Sequence, residues 1–238
     1  MIIIALKEKN VAKWIEPLYC PVVVHKRLVV PGIFMMDVIE SVIFDWGGVL
    51  IDDPAPGLVK YCSEALGVSK EDYINVYNKF GWDFQKGVIS EGEFWERMCG
   101  ELGKREPDVP SLWSDAFKAV YVPREDMFFL AAGLRESGYK TGFLSNTEKP
   151  AMEYFHQQDY DMFDVVVFSC AEGMSKPDRR IYELTIQRLR LKPEQSVFID
   201  DKPEYIDGAR QAGLKTVLFE SISQVKEKLA RFGIEQIG

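Results

Sequence analysis

Histidine is scarce in this chain: His25 and His156 are the only two in 238 residues. The four cysteines, Cys20, Cys62, Cys99 and Cys170, are far apart and form no CxxC pair. Together these scarcities exclude a Cys/His zinc site and a disulfide framework as organising features. No Lys/Arg cluster stands out either, and 29 basic against 37 acidic residues leave a net charge of −8. A surface built for nucleic acid or another polyanion is therefore not expected. No apolar run approaches the ~20 residues that span a bilayer. The apolar start, Met1 to Leu6, has no basic flank before it and meets Lys7, Glu8 and Lys9 at once, which makes a poor secretory signal. No membrane partner is expected, and free thiols without a leader point to the cytoplasm. What is present is the composition of an ordinary globular protein, with 47% hydrophobic and 28% charged residues. The length suits one domain, or one domain carrying an insertion.

The informative pattern begins at Val42-Ile43-Phe44-Asp45-Trp46-Gly47-Gly48-Val49-Leu50, where a short buried strand runs into an acid and then into two glycines. Such glycines permit a tight turn or close backbone approach to a ligand. The same grammar recurs: Thr141 to Leu144 ends at Ser145-Asn146, Val165 to Phe168 at Ser169, and Ser196 to Ile199 at Asp200-Asp201. A fifth apolar run covers 216–219. Helical periodicity occupies 125–137 and 180–191, and 203–212 opens on Pro203 and closes at Gly213, as a helix should. Alternating strands and helices predict an α/β fold, a doubly wound parallel sheet of Rossmann-like type, with ligands at the carboxyl ends of the strands. Only 52–123 breaks the alternation. It lacks a convincing strand and reads as four helices at about 56–66, 70–80, 91–102 and 111–120. The expected organisation is thus an N-terminal extension over 1–38, an α/β core of 39–52 and 124–238, and a helical insertion of 53–123. Within 1–38, two apolar runs could pair as a hairpin, or the whole could be a start-site extension ahead of Met35-Met36.

Asp45, Ser145, Lys176 and Asp200-Asp201 together suit a phosphate. A carboxylate on a rigid strand end can attack phosphorus and form an aspartyl-phosphate, dividing hydrolysis into two easier displacements. The phosphate dianion repels that carboxylate, so a Mg²⁺ shared with a second acid, and a cation such as Lys176, are needed to offset the repulsion. Ser145 and nearby backbone N–H groups can hold the phosphoryl oxygens.

These residues resemble four motifs of the haloacid dehalogenase-like hydrolases in the right order: Phe44-Asp45-Trp46-Gly47-Gly48-Val49-Leu50, Leu144-Ser145-Asn146-Thr147, Gly173-Met174-Ser175-Lys176-Pro177-Asp178 and Phe198-Ile199-Asp200-Asp201. The spelling is most similar to the branch with sugar-phosphate phosphatases and the phosphatase domain of bifunctional epoxide hydrolases. The resemblance implies that Asp45 is nucleophile and Mg²⁺ ligand, that the Gly47 carbonyl and Asp201 also bind the metal, and that Asp200 supports them. Ser145 and Asn146 would hold the phosphate, Lys176 would neutralise it and orient Asp45, and 53–123 would be the family's α-helical cap. The implied activity is Mg²⁺-dependent hydrolysis of a small phosphorylated metabolite, such as a sugar phosphate.

One position departs. Most phosphatases of the family carry an acid two residues after the nucleophile, and here that residue is Gly47. Losing such an acid/base costs on the order of 10²–10⁴-fold, and Asp52 or Asp53 are candidates to replace it. Two other readings stay open: a phosphate-binding regulatory protein with little turnover, and a dehalogenase, which would displace halide without metal. His156 is expected at the surface, the cysteines in the core, and Trp82, Phe84 and Trp95 in the core of the insertion, where a turn at Gln85-Lys86-Gly87 could also face the substrate. The pattern assigns no oligomeric state and names no substrate.

Overall fold

The computed structural model describes residues 38–234. The hairpin and start-site readings of 1–38, and the expectation for Cys20, fall outside these residues. Five parallel strands form one sheet in the order β3-β2-β1-β4-β5: β1 (Ser41–Phe44), β2 (Lys140–Ser145), β3 (Val165–Phe168), β4 (Ser196–Asp200) and β5 (Lys215–Leu218). β1 is central, and all four of its residues are buried. A strand covered on both faces reads as a continuous apolar run rather than an alternation, which is why Val42-Ile43-Phe44 was legible.

Successive side chains point to opposite faces, and the core divides accordingly. Ile43, Leu144, Val167 and Phe198 pack against α8 (Arg179–Leu189) and α9 (Pro203–Gln211). Val42, Phe44, Phe143, Val197 and Val217 face the other way, onto α5 (Glu125–Glu136), α6 (Lys149–Phe155) and α10 (Ile222–Arg231). The sheet is doubly wound, and the chain leaves β1 toward β2 on one side and β4 on the other. That reversal opens a crevice at the carboxyl ends of β1, β2 and β4.

Four helices lie between β1 and α5: α1 (Ala55–Leu66), α2 (Lys70–Gln85), α3 (Glu91–Leu102) and α4 (Leu112–Val120). Ser69, Ser90 and Ser111 each accept a backbone N–H as N-caps, and Ser90 with Glu93 completes a capping box. An aromatic cluster of Tyr77, Phe84, Phe94, Trp95 and Trp113 unites α2, α3 and α4. Trp46, just past β1, packs on Phe117 of α4 with ring centroids 4.9 Å apart, so the helices join the sheet in one hydrophobic cluster. Phe84 and Trp95 are buried as expected, but Trp82 is half exposed, with the Lys86 ammonium 5.9 Å from its ring. Residue 82 falls on the solvent face of α2, between the core positions 81 and 84.

Candidate active site

The crevice brings the strand-end residues together. Asp45 follows β1, Ser145 ends β2, Asp200 ends β4 with Asp201 beyond it, and all are buried except the half-buried Asp201. Lys176 arrives from the loop between α7 (Ser169–Glu172) and α8, and its fully buried ammonium lies 2.7 Å from Asp45 Oδ1 and 2.6 Å from Asp200 Oδ2. Burial alone would push that ammonium toward neutrality, but Asp200 and Asp45 reverse the effect and raise its pKa. The same crowding acts on the acids. Burial, then the charge of Asp45, pushes Asp200 up to about 7 against the pull of Lys176, and burial followed by Asp45 also raises Asp201.

This cluster lacks positive charge. Carboxylate oxygens of Asp45, Asp200 and Asp201 lie within 4.8 Å of one another, and Lys176 is the one fully buried ammonium among them. Asp201 Oδ1 is buried and has no hydrogen-bond partner. An oxygen-only set with an orphaned carboxylate oxygen and excess negative charge fits a hard divalent cation.

The turn after Asp45 is built around that acid pair. Gly48 has φ = +85°, a conformation that L side chains rarely adopt, and a Cβ there would stand 2.3 Å from the Asp201 carboxylate. Arg124 fastens the turn from outside, donating from Nη1 to the Gly48 carbonyl at 2.6 Å and from Nε to Asp52 at 2.9 Å. Asp52 is thereby committed to Arg124 and does not line the cavity, whereas Asp53 does. Gly47 is not in the left-handed region; a Cβ on it would crowd Pro54 Cδ at 3.0 Å.

Asn146 serves Lys176 directly. Its Oδ1 accepts the Lys176 N–H at 2.8 Å and its Nδ2 donates to the Lys176 carbonyl at 3.0 Å, clasping the main chain that carries the ammonium. Ser145 Oγ accepts from Thr147 Oγ1 at 2.7 Å. Ser169 Oγ accepts the Thr147 N–H at 2.8 Å and donates to the Gln85 carbonyl at 2.6 Å, tying the sheet edge to the end of α2.

A cavity of about 150 Å³ opens from these groups toward α1, α2 and α4. Besides Asp45, Ser145, Asn146 and Lys176, its lining includes Gln85, Glu148, Lys202 and Tyr205. Of the turn Gln85-Lys86-Gly87, only Gln85 lines this cavity, and it does so as the last residue of α2. Glu148, Lys202 and Tyr205 were not singled out from sequence. Lys202 and Tyr205 had a usable signal, because Lys202 immediately follows Asp200-Asp201 as the N-cap of α9 and Tyr205 lies in that helix's first turn. Glu148 reads locally as an ordinary acid at a helix start. It is instead buried, with Oε1 accepting from Tyr77 Oη at 3.4 Å and Gln85 Nε2 at 3.3 Å, and burial pushes its carboxyl up to about 7. His156 is exposed, Cys62 and Cys99 are buried, and Cys170 is half-buried. No helix among the described residues is long and apolar enough to cross a membrane.

A sequence profile for haloacid dehalogenase-like hydrolases matches residues 39–213. A glyceraldehyde 3-phosphate phosphatase of Methanothermobacter thermautotrophicus is 37% identical over 197 residues, covering 77% of this chain and 86% of that protein. Acyl-CoA dehydrogenase family member 10 of Mus musculus is 34% identical over 189 residues, covering 75% of this chain, but the chain spans only 18% of the mouse protein's length. Among solved structures, a single-residue mutant of the HAD family enzyme bt-2542 of Bacteroides thetaiotaomicron, in complex with magnesium and inorganic phosphate, superposes with a TM-score of 0.65 at 23% identity, over 79% of this chain and 98% of that one. The chain belongs to the haloacid dehalogenase-like hydrolase family.

Proposed function

We propose that the chain is a Mg²⁺-dependent phosphatase of a small phosphorylated metabolite, a sugar phosphate being the leading class, acting through an aspartyl-phosphate on Asp45. The observation that carries this reading is the buried ammonium of Lys176 held between Asp45 and Asp200, beside an Asp201 oxygen without a partner. The phosphatase relative and the magnesium- and phosphate-bound structural neighbour support it.

Asp45, the Gly47 carbonyl and Asp201 would hold the metal, which when bound supplies positive charge against the phosphate oxygens. Lys176 keeps the free Asp45 oxygen oriented and offsets charge on the transferring group. Asp200 fixes Lys176 from the far side, and its Oδ1 accepts the Lys202 N–H at 2.8 Å, so the acid is itself held. Ser145 and main-chain N–H groups around Asn146 bind phosphoryl oxygens, while the Asn146 side chain keeps Lys176 in place. Asp45 attacks phosphorus, the P–O bond to the leaving group breaks, and the leaving oxygen takes up a proton. Water then attacks the phosphorus, releasing phosphate and restoring the carboxylate. Gly47 offers no proton for the departing oxygen; of the two nearby acids, Asp53 faces the cavity while Asp52 is engaged by Arg124. Residues 53–123 act as a cap over a core of 39–52 and 124–238, and the free thiols Cys62, Cys99 and Cys170 agree with a cytoplasmic location.

The test is a panel of phosphorylated metabolites plus para-nitrophenyl phosphate, with and without Mg²⁺, scored by released phosphate. Release that requires Mg²⁺ supports the reading. Tight binding of phosphate analogues with no turnover across the panel would instead make the chain a phosphate-binding protein.

A further inference from the structure

The cavity has a second polar end. Glu148 is buried in its lining, and the groups that touch its carboxyl are all neutral: its own backbone N–H, the Gln85 amide, the Tyr77 hydroxyl and the Trp113 indole. The Gln85 and Tyr77 contacts, at 3.3 and 3.4 Å, are long for hydrogen bonds to an acid. The Trp113 N–H lies close enough to favour the charged carboxyl, yet it makes no hydrogen bond of ordinary geometry. The Tyr73 hydroxyl, on a residue 1% exposed, likewise has no partner beyond the neighbouring Cys62 thiol. Both rings line the cavity, and apolar side chains such as Leu58, Val59 and Ala151 complete its wall.

Buried polar groups left incompletely paired cost stability unless a ligand completes them. An acceptor and an unused donor side by side call for a partner that is both donor and acceptor. An ammonium group can only donate and would leave the Trp113 N–H unpaired, whereas a hydroxyl donates to the carboxyl and accepts from the indole. A space of about 150 Å³ takes a group of roughly benzene's size, so the molecule reaching this end is compact.

We infer that Glu148, with Trp113, forms a leaving-group subsite that reads a hydroxyl on a compact phosphate ester, making Glu148 a specificity-determining residue. This rests on the phosphatase reading and adds to it the feature of the substrate that is recognised and the groups that recognise it. Tyr77 and Gln85 hold the carboxyl in place from α2, which makes the subsite a junction between the sheet edge and the helical segment.

The experiment uses the full chain and three matched series of monoesters with two to six carbons: alkyl phosphates, ω-hydroxyalkyl phosphates and ω-aminoalkyl phosphates, with para-nitrophenyl phosphate as reference. Assayed above about pH 7, where the Glu148 carboxyl is ionised, kcat/KM at the best-fitting length should be higher for the hydroxyl ester than for the alkyl and amino esters by about ten- to hundredfold, the worth of one buried hydrogen bond to a charged acceptor. Glu148→Leu should collapse this preference toward unity, and Glu148→Gln, which keeps an acceptor, should retain part of it. Equal kcat/KM across the series, a preference for the amino ester, or a hydroxyl preference that survives in a folded Glu148→Leu variant would overturn the inference. If that variant does not fold, the wild-type series alone decides. Hydrolysis of para-nitrophenyl phosphate without a hydroxyl preference refutes the subsite only; no release from any ester refutes the phosphatase reading beneath it.

Discussion

Lys176 shows how a single residue sets the character of the site. Its ammonium is completely buried between two carboxylates, so replacing it with a neutral side chain strands Asp45 and Asp200 against each other. Breaking a buried pair in this way costs about 3–5 kcal/mol. Lys176→Met should therefore lower unfolding free energy by about that amount in metal-free buffer, as read by denaturant titration, as well as abolishing turnover. An unchanged midpoint would show that the ammonium is not held as described. Glu148 makes a different prediction. Its carboxyl is raised from 4.5 to about 7 by burial, so the folded state keeps a proton that the unfolded chain has released. The corresponding stability is fully present below about pH 4.5 and is lost as pH rises to about 7. Because Glu148→Gln removes this dependence, its stability relative to wild type should improve by about 3 kcal/mol across that window and then level off. A difference that does not change with pH would contradict the burial.

At the scale of elements, the strands and the groups that end them were legible because buried parallel strands are short apolar runs that stop at polar residues. Asp45, Ser145 and Asp200-Asp201 all sit at such stops. Lys176 is on a loop and became visible only through its motif. Helix α3 matches its expected span of 91–102, marked by a capping box at its start and Gly103 at its end. The second helix was expected to end near residue 80 but runs to Gln85. A Cβ on Gly81 would sit 2.5 Å from the Tyr77 ring, so this glycine makes room for tertiary packing inside a continuing helix. That extra turn delivers Gln85 to Glu148, which is why this end of the cavity could not be read locally. Helix α6, only seven residues long with Pro150 near its start, carried too little periodicity to stand out. The turn after β1 is open to a direct test. In Gly48→Ala the new methyl meets the Asp201 carboxylate, and φ = +85° adds strain of about 1–2 kcal/mol. The fold should survive while the Mg²⁺ concentration giving half-maximal activity rises at least tenfold. An unaltered Mg²⁺ dependence would mean that Asp201 does not approach the turn.

For the molecule as a whole, the sheet gathers Asp45, Asp200 and Asp201 against Lys176 and Lys202 at a topological switch point, and that excess of negative charge is built into the fold. A cation that neutralises it must stabilise the native state. At a hundredfold excess over its dissociation constant, Mg²⁺ should add about 2.7 kcal/mol, seen as a rise in Tm, and Asp201→Asn should reduce that rise. Equal shifts in both proteins would place the metal elsewhere. Phosphorylation of Asp45 during turnover can be read by chemical trapping. The protein is mixed with Mg²⁺ and para-nitrophenyl phosphate, quenched in acid during turnover, reduced with borohydride and mapped by mass spectrometry. An acyl-phosphate at Asp45 is reduced to homoserine, so homoserine should appear at position 45 only when both ester and metal are present. Phosphate release in a sample whose Asp45 remains unmodified, under conditions in which the intermediate should accumulate, would rule out an aspartyl-phosphate at this residue.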